Sequence, residues 1–416
     1  MKSVVILGQG IMGLCSAYYA AQRGFEVTVI DRQPIPQNGC SYGNAGMIVP
    51  SHFIPLAAPG MVALGLKWMW NPESPFYLKP RLDLDLIGWA LKFWRAATPA
   101  RVEKAAPVLR DLNLASRACY EELSALPEMD FGLVQKGLLM LCRTDHALEE
   151  EAATATRAIA LGVPAEVLSA RQTAALDPAV NMSVAGSVYF PRDCHLSPNR
   201  FMSSLIGACL GMGVKFMAET ECTGWRREGT RLAALLTSNG EVRGGQFVLA
   251  GGSWSGETIR SLGLRLPMQA GKGYSVTLSQ PPQLPEICSI LTEARVAVTP
   301  MGSSLRVGGT MELGGLHLQI NPRRVQGIIK SVPSYFPNFK GEDFAGLEPW
   351  VGLRPCPPDG VPYLGRTKAA DNLILATGHS MMGLSLGPVT GRIVSQLLAK
   401  EHPGHDLRLL SPDRYA

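Results

Sequence analysis

Gly8, Gly10 and Gly13 spell G-x-G-x-x-G directly after a short apolar run, residues 3–7, and the acidic Asp31 follows. That spacing is the chemistry of a dinucleotide pyrophosphate. Gly8 permits the tight turn, Gly10 lets backbone approach phosphate, and Gly13 lets helix and strand pack closely. The N–H groups and dipole of a helix beginning at Ile11 and Met12 stabilise the phosphates. Asp31, next to Arg32, can accept hydrogen bonds from a ribose diol. The fingerprint alone does not separate FAD from NAD. Nine cysteines, an odd number, include no C-x-x-C pair. A disulfide framework, a zinc ribbon and an iron–sulfur cluster are therefore not expected, and no metal site is.

These residues need elements to hold them. Residues 3–7 read as a buried parallel strand, 11–23 as a helix ending near Gly24, and 25–30 as the next strand. Residues 33–59, rich in Gly, Pro, Ser and Asn, read as a long functional loop. Residues 60–126, with Trp68, Trp70, Trp89 and Trp94, look mainly helical. Residues 135–142 read as a strand, 145–162 and 169–177 as helices, and 197–212 as a further helix. Strands are expected at 214–217, 221–226, 231–237 and 246–250, and again at 272–278, 295–300 and 304–310. A last strand at 373–376 leads into a final helix near 385–400.

With 416 residues, 46% hydrophobic and 18% charged, the chain can build a sizeable core and is not disordered. A net charge of +5 without a basic cluster argues against a nucleic-acid partner. Neither a signal-peptide pattern nor a membrane-spanning run is seen, so a reducing, cytoplasmic setting is expected.

Four further stretches carry a family resemblance: Cys40-Ser41-Tyr42-Gly43-Asn44-Ala45-Gly46-Met47, Ala250-Gly251-Gly252-Ser253-Trp254-Ser255, Gly352-Leu353-Arg354-Pro355, and Gly378-His379-Ser380-Met381-Met382-Gly383. With the fingerprint, they resemble the FAD-dependent D-amino-acid oxidase superfamily. Within it the chain is most similar to the D-amino-acid dehydrogenase branch, small-subunit type, through PLAAPGMVALGLKWM, MQAGKGYSVT, VAVTP and LRVGGTMEL. A related group oxidises hydroxy-D-prolines.

The resemblance implies an α/β fold: a Rossmann-like FAD-binding domain (1–65, 190–265 and 345–416) interleaved with an α+β substrate domain (66–189 and 266–344). It implies non-covalent FAD beside Ser41, Asn44, Ala45, Gly46 and Met47, with Val214 at the adenine end. Gly251, Gly252 and Trp254 would approach the cofactor. Gly378, Met381, Met382, Gly383 and Leu384 would form the last flavin turn. Arg354 matches the arginine that binds the substrate carboxylate, whose planar fork suits a guanidinium. Tyr274 could add a hydroxyl or pack in the core, and His379 could act as a base or hold the turn.

The activity implied is hydride transfer from an amino acid to flavin N5, with electrons passed to a quinone or an electron-transfer partner. Ala297 and Met381 stand where related oxidases carry Tyr and Arg, which favours a dehydrogenase. An oxidase using O₂, or a flavin subunit of a hetero-oligomer, stays open as an alternative. The aromatic and basic stretch 60–95 also suits peripheral contact with the inner face of a membrane.

Overall fold

The computed structural model describes residues 2–35, 39–69, 71, 73–79, 81 and 83–416. Trp70 lies outside them. Ser3–Leu7 is buried on both faces, which is why it reads as an unbroken apolar run. It sits inside a six-stranded sheet ordered Tyr363–Thr367, Ala370–Thr377, Gln246–Leu249, Ser3–Leu7, Glu26–Ile30 and Lys215–Met217. All pairings are parallel except that of the outer strand Tyr363–Thr367.

Val4 and Ile6 pack towards the helices Ile11–Gln22 and Gly383–Leu398. Val5 and Leu7 belong to a second cluster, with Leu232 and Leu235 of a three-stranded antiparallel sheet. The two helices come close because Gly387 and Gly391 lack side chains. A Cβ on Gly391 would stand 2.5 Å from the Cys15 backbone, a clash the packed pair cannot relax.

A nine-stranded mixed sheet stands beside the first. Its path runs Trp350–Cys356, Gln269–Leu278, Ser304–Leu313, Val296–Met301, Cys288–Leu291, Leu138–Cys142, Gly186–Phe190 and Glu166–Ser169, and Phe76–Leu78 pairs with Ser304–Leu313. Helix Pro322–Tyr335 covers one face through Val325, Ile328, Ile329 and Val332. That helix was not expected, because Gly327 and Pro333 interrupt its pattern; Asn321 Oδ1 caps it by accepting from Arg323 N at 3.2 Å. The segment with Arg354, expected only to precede the last strand, is itself a strand of the larger sheet.

Among the described residues of 60–126, three helices form, Met61–Trp68, Leu84–Ala96 and Pro99–Ser124, together with the strand Phe76–Leu78. Trp89 turns inward and donates Nε1–H to Cys356 O at 2.9 Å, tying helix Leu84–Ala96 to the Arg354 strand.

The segment expected as a long loop contains one short strand, Met47–Ile48, paired with Cys194–His195. Just beyond it, Ser51 Oγ and N donate to Asp193, at 2.5 and 3.1 Å. Asp193 is fully buried, and desolvation pushes its pKa up to about 7 despite the Ser51 hydrogen bonds. A raised carboxyl pKa means the folded chain holds a proton that the unfolded chain has lost. Between about pH 4 and 7, the Asp193 contribution to stability therefore falls as pH rises. His52, His195 and His379, whose pKa values burial pushes down to about 4, 4 and 3, contribute the opposite slope, so the Asp193 part is read against the Asp193→Asn variant. Relative to that variant, wild-type Tm should drop by roughly 2–4 °C from pH 5 to 8 for each kcal/mol involved. A calorimetric series on both proteins measures this, and a Tm difference that does not change with pH would refute the assignment.

Candidate active site

The fingerprint loop has the geometry its glycines promise. Gly8 adopts φ +110°, and a Cβ there would stand 2.4 Å from Ala250 O. A Cβ on Gly13 would meet Gly8 O at 1.7 Å. Gly10 differs: its Cβ direction has only Ser41 Oγ, at 3.6 Å. Packing therefore does not require glycine at 10, so the open strip over that backbone is what a pyrophosphate would fill. Asp31 accepts from Gln9 N at 2.8 Å and Gln33 N at 2.9 Å. A carboxylate has about four acceptor positions, which leaves capacity for a ribose diol. Arg32 stacks on Trp254 with its guanidinium 4.2 Å from the ring, bridging the ends of strands Glu26–Ile30 and Gln246–Leu249, which flank Ser3–Leu7. Val214 is buried, with its N–H given to Cys209 O, ahead of strand Lys215–Met217.

Ser41 Oγ accepts from Ile11 N at 3.0 Å, so loop 39–46 is latched to the fingerprint helix. Asn44 Oδ1 accepts from Gly46 N at 2.9 Å. Gly46 has φ +79°, and Leu196 O lies 2.3 Å from its Cβ direction. The Trp350 ring fills the space where Gly43 and Gly352 would carry side chains. Arg306 donates from Nη1 to Tyr42 O and Asn44 O, at 3.0 and 2.9 Å. Nothing in the sequence reading had singled out Arg306; it sits in LRVGGTMEL, where the only signal was an arginine two residues before paired glycines.

Arg354 is half-buried and forms no ion pair with a carboxylate among the described residues. Its guanidinium lies over Gly273, whose Cβ would be 2.4–2.5 Å from Nη1, Nη2 and Cζ. Nη1 donates to Thr310 O at 2.5 Å. Thr310 adopts φ +68° beside a register shift between strands Gln269–Leu278 and Ser304–Leu313. The bulge re-aims a carbonyl at the guanidinium. Glycine at 273 and the bulge at 310 thus seat Arg354, and both escaped the sequence reading.

The Arg354 strand also packs against both turns that the resemblance singled out. Ser253 Oγ donates to Leu353 O at 3.0 Å. The turn holding Met381 and Met382 contacts the same strand. Gly378 has φ +77° there, and Met381 stands exposed while Met382 and Leu384 are buried. Gly251, Gly252 and Gly383 are partly open. Arg354, the fingerprint, loop 41–47 and both turns therefore converge between the two sheets. Ala45 and Met47 come with that loop.

Two expected catalytic residues do not join them. Tyr274 pairs with Val351, three residues from Arg354, so strand alternation puts the two side chains on opposite faces. Its hydroxyl donates to Glu312 Oε2 at 2.9 Å and accepts from Asn321 N. The phenol is a core residue under helix Pro322–Tyr335. Lys272 shares that face; Nζ donates to Gln319 O and contacts His317 Nδ1, so it cannot serve the cofactor. His379 is fully buried with Nε2 on Thr390 Oγ1 at 3.0 Å. Burial pushes its pKa down to about 3, far too weak a base near neutrality.

The chain is similar to known proteins along nearly its whole length. Residues 3–397 match the DAO family model, described as FAD dependent oxidoreductase. A D-amino acid dehydrogenase of Bradyrhizobium diazoefficiens is 34% identical over 422 residues, covering 99% of each chain. One from Cereibacter sphaeroides is 34% identical over 424 residues, 99% of this chain and 97% of its own. Among solved structures, glycine oxidase from Geobacillus kaustophilus superposes with a TM-score of 0.78 at 24% identity, over 100% of both chains. L-Proline dehydrogenase from P. horikoshii gives 0.75 at 20%, over 100% of this chain and 97% of its own. The two superpositions show the fold.

Proposed function

Because the chain belongs to the DAO family of FAD-dependent oxidoreductases, and so is an enzyme that uses FAD, we propose that it dehydrogenates D-amino acids. The observation that carries this reading is Arg354: a half-buried guanidinium seated on Gly273, with no carboxylate partner among the described residues. The full-length similarity to D-amino acid dehydrogenases supports the substrate class. D-Proline and cis-4-hydroxy-D-proline are the substrates we favour within it.

In this reading, residues 1–65, 190–265 and 345–416 serve the non-covalently held cofactor, and 66–189 and 266–344 serve the substrate. The fingerprint, Asp31, loop 41–47 and the turns at 251–254 and 378–384 hold the FAD. Bound FAD supplies a two-electron acceptor for the Cα–H bond. Arg354 grips the carboxylate bidentately, and the Thr310 carbonyl fixes the guanidinium's rotation. The amine sheds its proton to water beforehand, since His379 cannot take it. The imine product is hydrolysed in water.

We assign the electrons to a membrane quinone. Leu84, Ile87, Leu91 and Trp94 form one exposed apolar stripe on helix Leu84–Ala96, with Leu84 86% and Trp94 63% exposed. Lys92 and Arg95 flank it, the pattern of a helix lying on an anionic bilayer. Among the described residues, no helix is long and apolar enough to cross a membrane.

The test is a panel of D- and L-amino acids with a redox dye, run beside an oxygen electrode, and repeated with quinone in anionic vesicles. We expect dye and quinone reduction with D-amino acids, and peroxide formation at a small fraction of that rate. Turnover confined to L-substrates, or stoichiometric peroxide, would overturn the assignment.

A further inference from the structure

Arg306 is a buried cation that the reaction as described leaves idle. It stands on the same sheet face as Arg354, since Arg306 pairs with Thr277, and Thr277 alternates with Ser275, Gly273 and Gly271, the last of which pairs with Arg354. Burial pushes its pKa down to about 10, and it forms no ion pair among the described residues. Its donors go instead to oxygens: Nε to Thr277 Oγ1 at 3.1 Å, and Nη1 to the carbonyls of Tyr42 and Asn44. Between those two, the Gly43 carbonyl accepts from Ser275 Oγ at 3.1 Å. Three successive carbonyls of loop 41–47 are thus pinned to the second sheet.

A trans peptide is planar, and its N–H points opposite to its C=O. The N–H groups of Gly43, Asn44 and Ala45 therefore face away from the sheet. None of the three donates a hydrogen bond of good geometry within the described residues. Successive backbone N–H groups left open in this way are donors for negative charge. Glycine at 43 is needed because the Trp350 ring occupies its Cβ direction.

We propose that Arg306, helped by Ser275, is a positioning residue for the cofactor: it orients these three N–H groups as donors toward bound flavin, and so favours the reduced, anionic form. The inference rests on the reading that loop 41–47 borders the flavin. Its subject is this chain's own backbone, so it can be measured without substrate.

The experiment compares wild type with Arg306→Met, Arg306→Lys and Ser275→Ala. Measured are FAD affinity of the apoprotein, the visible spectrum, the ratio of reduced to oxidised flavin against a reference dye, and Tm. Arg306→Met should bind FAD about 10-fold more weakly. At a fixed dye potential its reduced-to-oxidised ratio should fall about 10-fold, equivalent to ~30 mV for two electrons. Ser275→Ala should move the ratio in the same direction by less, and Arg306→Lys should restore part of it.

Wild-type affinity and ratio in Arg306→Met, with only Tm lowered, would overturn the proposal and leave Arg306 a packing residue. Where Arg306→Met does not fold, wild-type ratios in both Ser275→Ala and Arg306→Lys overturn it equally. Wild-type protein that takes up no FAD would instead sink the flavin-site reading, and this inference with it.

Discussion

Replacing Arg354 by alanine is expected to lower kcat/KM for the amino-acid substrate about 10³-fold while leaving flavin content unchanged. Losing one partner of a desolvated, charge-assisted pair costs roughly 2–5 kcal/mol, and each 1.36 kcal/mol is tenfold in rate. The side chain donates to Thr310 O and pairs with no carboxylate among the described residues, so truncation removes no fold-stabilising ion pair. A companion substitution, Gly273→Ala, tests the seat rather than the charge. Its Cβ would lie about 2.4 Å from the guanidinium, so Arg354 must shift. A displacement of about an ångström is worth on the order of 10²-fold. Both effects are read from steady-state kinetics with flavin absorbance as the internal control. An Arg354→Ala enzyme with kcat/KM within threefold of wild type would remove the carboxylate anchor from this site.

Substituting Gly10 by valine should cost about 100-fold in FAD affinity and almost nothing in apoprotein Tm. A Cβ there meets only Ser41 Oγ, in ordinary contact at 3.6 Å, so packing of the folded backbone does not demand glycine. Bound pyrophosphate does, and overpacking of this kind costs roughly 1–3 kcal/mol. Gly13→Ala is the contrast, since its Cβ would stand 1.7 Å from Gly8 O. That variant should lose stability and flavin together. Flavin titration of the apoproteins and thermal melts separate the cases. If Gly10→Val binds FAD as wild type does, the phosphates do not pass over residue 10.

The two predictions differ in how readable their residues were. The fingerprint could be read directly because its demands are local. A turn with φ +110° at Gly8 and a close contact at Gly13 are satisfied by glycine at fixed spacing after an apolar strand. Arg354 was legible only through resemblance. Its function depends on Gly273 and Thr310, which lie 81 and 44 positions away in the chain.

Tyr274 and His379 failed for related reasons. Nothing in KGYS says which sheet face Tyr274 takes, because that parity is set by pairing with Trp350–Cys356. Nothing in GHSMMG says that the imidazole is buried against Thr390. Helix Pro322–Tyr335, which covers Tyr274, was hidden by Gly327 and Pro333, whose low helix propensity tertiary packing overrides. Arg306 carried no motif at all; its two carbonyl partners lie 264 and 262 residues away.

The chain by itself thus determined the dinucleotide loop and the apolar strands of the first sheet, since each follows from neighbours within a few residues. Which face of the second sheet carries Arg354 and Arg306, how their guanidinium groups are seated and which backbone N–H groups lie open were decided only by tertiary structure. Those properties are set by strand register and by contacts between residues far apart in sequence, and periodicity carries no record of either.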